Sequence, residues 1–167
     1  DGDKIRFRNG LPERIGGWTR VSNTQITGTP RKIFDFVTLS SQNLLFIGTE
    51  QKVFLENAGT FNDITPIRST VSLGTNPVNT TGGAGSGVVT ITTQAAHGAI
   101  AGDFVTLASL TTTDGITAAQ LNIEHKITSV PSTTTFTITT AGSATSGSTA
   151  GGGSSGTAAF QLNIGLN

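Results

Sequence analysis

The sequence predicts an all-β protein, in which a propeller-blade-like antiparallel meander is followed by a small β-sandwich or barrel domain. Three observations predict it. The 167 residues include 22 glycines and long runs of threonine and serine, with only 12% charged side chains; β-branched threonine suits a pleated sheet, and glycine weakens helices. Short stretches alternate apolar with polar side chains, as strands with one buried face do. Glycine, proline and asparagine punctuate those stretches at turn spacing.

The first element is "IRFRNGLPERIGGW", residues 5–18. A strand here places Lys4, Arg6 and Arg8 on one face and Ile5 and Phe7 on the other. Asn9-Gly10 is a turn dipeptide, Pro12 stiffens the exit, and Gly16-Gly17 lets the chain pass close to another backbone before Trp18 anchors in an apolar pocket. Such a segment pins a chain path rather than performing chemistry. Lys4, Arg6, Arg8 and Trp18 are therefore candidate assembly or partner contacts; the alternative for the cations is the solvated outer face of an edge strand.

"KIFDFVTL" supplies the next strand, and "NLLFIGTEQKVFLENAGTFNDITP" reads as an apolar run at 44–47, a turn at 48–51, a strand at 52–56, a turn at 57–59 and a further strand. Consecutive short strands joined by tight turns make a meander of the size of one propeller blade. A lone blade cannot bury both faces, so it needs neighbours from a longer chain or another subunit; a small separate sheet or sandwich is the alternative. A longer natural chain is also the expectation from the start at Asp1 and from the strand-like "AAFQLNIGLN" that ends the sequence.

Six of the nine phenylalanines and Trp18 fall within the first 68 residues, and after Arg68 the only charged side chains are Asp103, Asp114, Glu124 and Lys126. That shift divides the chain into residues 1–73, a Gly/Ser/Asn linker at 74–87 and a β-sandwich or barrel domain at 88–167. In the last, "VVTITT", "DFVTLASL", "HKITSV" and "TFTITT" alternate as strands, "ITAAQLN" has room for one helical turn, and the Gly/Ser-rich stretch at 141–157 reads as a flexible loop before the final strand.

Formal net charge is zero and the pI about 6.9, so composition carries no general signature of nucleic-acid or membrane binding. Without cysteine there is no disulfide framework and no thiolate metal site. No apolar run reaches the length of a bilayer span. His97 and His125 have no second histidine or carboxylate cluster at ligand spacing and are expected to be structural, as turn or surface residues. "DGDK" lacks the later ligands of a calcium loop, "GGAGSG" is followed by a strand rather than by a helix that could hold phosphate, and no serine sits in a nucleophile elbow. No cofactor is expected. For a glycan hydrolase the second module offers only Asp103, Asp114 and Glu124, and for a sugar platform only Phe104, Phe136 and Phe160 at strand-like positions.

"DKIRFRNGLPERIGGWTR" together with "LLFIGTEQKVFLENAGTFNDITP" resembles the amino-terminal part of the tail nozzle, or packaged-DNA stabilisation, proteins of short-tailed bacteriophages, over residues 3–67. "AAHGAIAGDFVTL" and "LNIEHKITSVPSTTTFTI" resemble a small β-domain that recurs in phage virion proteins, although Ile123-Glu124 stands where that pattern has Gly-Thr before the histidine. The resemblance implies a non-enzymatic virion component at the phage tail, a homo-oligomer in a hexameric ring. It would be bound to a tail adaptor and other tail proteins, help retain and then release DNA, and touch packaged DNA non-specifically. The inserted domain would face the host. A tail fibre or adhesin module binding carbohydrate or a receptor is the alternative.

Overall fold

A computed structural model of the chain describes residues 5–14 and 22–164, and Lys4 and Trp18 lie outside them. The protein is all-β, with a single helical turn among the described residues. The chain forms two compact units. One holds the described residues up to Thr49 together with Val53–Asp63, and the other holds Glu50–Lys52 and the chain from Ile64 onward.

In the first unit, strands β1 (Ile5–Arg8) and β2 (Leu11–Arg14) form an antiparallel hairpin. Asn9 and Gly10 both take positive φ, 51° and 79°, the geometry of the two-residue turn whose twist matches the flanking strands. Four further strands, β3 (Pro30–Val37), β4 (Asn43–Thr49), β5 (Val53–Asn57) and β6 (Thr60–Asp63), pair in chain order as an antiparallel meander. Ala58-Gly59 closes the last hairpin with φ of 50° and 86°, and the Glu56 carboxylate accepts the Gly59 N–H at 2.6 Å.

The second unit packs two antiparallel sheets over one core. Its remaining elements are β7 (Ile67–Gly74), β8 (Val78–Asn79), β9 (Val88–Thr92), β10 (Phe104–Ala108), α1 (Ala118–Leu121), β11 (Glu124–Lys126), β12 (Ser129–Ser132), β13 (Thr135–Thr139), β14 (Ala150–Gly151) and β15 (Gly156–Gln161). One sheet runs β11-β10-β15-β7 and the other β12-β13-β9-β8-β14. Alternation places Val89 and Ile91 of β9, Val105 and Leu107 of β10, and Phe136 and Ile138 of β13 inside, as a period of two requires. Thr90 of β9 and Thr137 of β13 point away from that core and pair with Thr81 at 2.9 Å and Thr128 at 2.7 Å. The helical turn expected in "ITAAQLN" forms as α1, closed by a Thr117/Gln120 capping box.

Two segments differ from their sequence reading. β7 belongs to the second unit, because it pairs with the final strand, Val71 opposite Ala158. The stretch read as a linker contains β8, which pairs with both β9 and β14, and its Val78 and Thr80 are fully buried. The Gly/Ser-rich stretch after residue 141 is tied to it: Gly85 N–H donates to the Ala144 carbonyl and Ala144 N–H to the Ser86 carbonyl, both at 2.8 Å. Low side-chain content here permits close backbone contact, since a Cβ at Gly147 would overlap the backbone of Gly83 and Ala84.

Candidate assembly surfaces

The hairpin register sets Arg6 opposite Glu13, Phe7 opposite Pro12 and Arg8 opposite Leu11. Opposed residues share a face, so the face that carries Arg6 and Arg8 also carries Glu13 and Leu11. Arg6 Nε donates to the Glu13 carboxylate at 3.1 Å. The row is thus a mixed one, a paired guanidinium followed by Arg8 and an apolar leucine. Phe7 is 76% exposed on one face and Leu11 71% on the other.

Both faces of the meander carry apolar side chains, and one of them also carries Asp35, Glu56 and Asp63. Ile33, Ile47 and Phe54 line up across three strands on one face, with Leu45 and Phe61 beside them. The opposite face carries Phe34, Phe46 and Leu55 in line, with Phe36 and Leu44 beside them. Ile47 and Phe54 are buried, but Ile33 and Phe34 are each 58% exposed and Val37 65%. β3 is an edge strand of eight residues, every one of them exposed. Its stacked Phe34 and Phe36 rings, 6.1 Å apart, widen the apolar surface.

In the second unit a groove of about 210 Å³ is lined by Gly102, Asp103, Phe104, Lys126, Gln161 and Asn163 among others. Its polar groups are held by the fold. Asp103 accepts the Ile100 N–H at 3.0 Å and the Asn163 amide at 2.7 Å. The Gln161 amide donates to Glu124, which also pairs with the buried Lys52. The Phe104 ring has Lys52 Nζ at 4.5 Å and Lys126 Nζ at 5.8 Å from its centroid, so the ring is engaged by cations.

Asp103, Asp114 and Glu124 each have a structural task. Asp103 and Glu124 hold the groove's walls. Asp114 sits in a tight turn with φ of 49° and accepts the Thr80 hydroxyl at 2.7 Å, the Ser146 N–H and hydroxyl at 2.8 Å, and the Gly147 N–H at 2.7 Å. Those bonds, that from Thr80 above all, lower its pKa to about 2.

Both histidines are buried rather than placed in surface turns. His97 Nδ1 accepts the Ala99 N–H at 3.0 Å, and its ring stacks on Phe160 at 5.3 Å and meets Phe136 edge-on at 5.4 Å. His125 Nε2 lies 3.0 Å from the Leu121 carbonyl, to which it donates, and burial lowers its pKa. Among the described residues no group of three or more potential metal ligands converges, and no helix is long and apolar enough to cross a membrane.

No family model matches the sequence, and no curated protein matches it. The chain is similar over 75% of its length to a solved structure named Phage phi92 endosialidase, with a TM-score of 0.46 and 18% identity. It spans 17% of that chain, and a likeness at this level does not bear on function.

Proposed function

We propose that this chain is a non-enzymatic structural component of a bacteriophage virion, of the tail nozzle or tail tip kind. It assembles with copies of itself into a ring, meets a tail adaptor, and helps retain and then release DNA. One observation carries the assembly reading: the four-stranded meander carries apolar side chains on both faces and leaves Ile33, Phe34 and Val37 of its β3 edge exposed. Ile47 and Phe54 are already buried, and the apolar strip along β3 is what a neighbour would cover. Supporting the nozzle assignment is the resemblance of residues 3–67 to that family, whose Asn-Gly turn here closes the β1–β2 hairpin. The structural tasks of Asp103, Asp114 and Glu124 favour a non-catalytic role.

The test is cryo-electron microscopy of the assembled particle. Several copies in a closed ring beneath the tail adaptor support the reading; a chain found in a trimeric fibre, or outside any particle, overturns it. The fibre outcome moves attention to the second reading, a carbohydrate- or receptor-binding module. That reading has the Asp103–Gln161 groove in its favour, and the cations over Phe104 against it.

A further inference from the structure

The meander ends in two edges that differ in length and charge. β3 is long and carries Arg31 and Lys32 at its start; β6 is short and ends in Asp63. Both are outermost strands of their sheet, and an edge strand offers a row of backbone donors and acceptors to any strand laid beside it. The sheet has four strands in alternating directions. Its last strand therefore runs opposite to its first, and the β6 edge of one copy meets the β3 edge of the next in antiparallel sense.

Side chains choose the register. Phe61 and Asp63 lie on the same face as Ile33 and Asp35, and Asn62 on the same face as Lys32 and Phe34. Opposed residues must share a face, which leaves registers two residues apart. Setting Asp63 against Asp35 opposes like charges. Setting it against Ile33 puts a carboxylate on an apolar side chain and Phe61 on Asp35. The next register sets Phe61 against Ile33, Asn62 against Lys32 and Thr60 against Phe34, and brings the end of β6 to the basic end of β3. The irregularity between Pro30 and Lys32 lies at the end of this overlap and leaves the pairing from Lys32 onward regular.

We infer that β6 of one copy of this chain adds to the β3 edge of a second copy in that register, as a head-to-tail contact. This deepens the assembly reading by naming the partner and rests on it for the apolar faces. A head-to-tail contact closes into a ring or continues as a filament according to the rotation between copies.

These 167 residues lack cysteine, so an oxidative cross-link between introduced cysteines reports the register directly. Lys32→Cys and Asn62→Cys, both on exposed positions, are introduced together and singly, with circular dichroism checking the fold. The double variant is expected to give a disulfide ladder of dimers, trimers and higher forms, while the two single variants stay monomeric under denaturing conditions. A double variant that remains monomeric overturns the inference, as does a Phe34→Cys variant that cross-links as a symmetric dimer. A ladder from a chain that cryo-electron microscopy does not find in the particle keeps the pairing and rejects the virion role; a particle ring without the cross-link does the reverse.

Discussion

At the residue scale, His125 shows how placement sets protonation. It begins the run "HKITSV" beside two charged residues, which reads as surface, yet its ring is buried and donates to the Leu121 carbonyl. Burial disfavours the imidazolium, and this outweighs the opposing effects of the carbonyl and of Glu124. With the folded pKa below the unfolded value of about 6.5, the unfolded chain binds more protons as the pH falls through that value, so His125 makes the fold less stable toward acid. Urea unfolding at pH 8 and pH 5.5 is expected to show lower stability at pH 5.5, and His125→Gln, which keeps an N–H for Leu121, to flatten that difference. An unchanged difference would place the titration elsewhere.

At the element scale, the stretches around residues 80 and 146 are ordered by one carboxylate. The turn at Asp114-Gly115, both at positive φ, closes the Thr113–Ile116 bridge and aims the carboxylate at Thr80, Ser146 and Gly147. Because the folded pKa is lowered to about 2 from 3.8, this contribution is complete above the unfolded value and is lost progressively as the pH falls from there through about 2. Amide exchange at Ser146 and Gly147 is therefore expected to stay protected down to about pH 4. Asp114→Asn turns an N–H₂ toward existing donors and speeds exchange at both positions at neutral pH. Equal exchange rates in the two proteins would mean that the backbone contacts alone hold the loop. Composition could not show this: glycine and serine mark a stretch with little to bury, whereas close backbone packing depends on a partner elsewhere in the chain.

At the scale of the whole molecule, the second unit is joined through its aromatic residues. Phe136 of one sheet meets Phe160 of the other edge-on at 5.5 Å, with His97 against both, and both phenylalanines are fully buried. Phe160→Ala is expected to cost about 3–5 kcal/mol in denaturant unfolding; a loss under about 1 kcal/mol would mean that the sheets do not share this core. The first unit contrasts with it, since its apolar side chains divide between two faces and leave β3 exposed.

By itself the sequence determined the β class, a meander of short strands, the alternating strands β9, β10 and β13, and the helical turn α1, because each is specified by neighbours within about ten residues. It also marked Asn9-Gly10 as a turn. Only the tertiary structure decided that β7 joins the final strand, that β8 and β14 pair inside two glycine-rich stretches, that Arg6 is matched by Glu13, and that His97 is clamped between two phenylalanines. Those features depend on pairing between distant segments, and a local pattern of apolar and polar residues carries no record of which distant strand, ring or carboxylate will stand opposite.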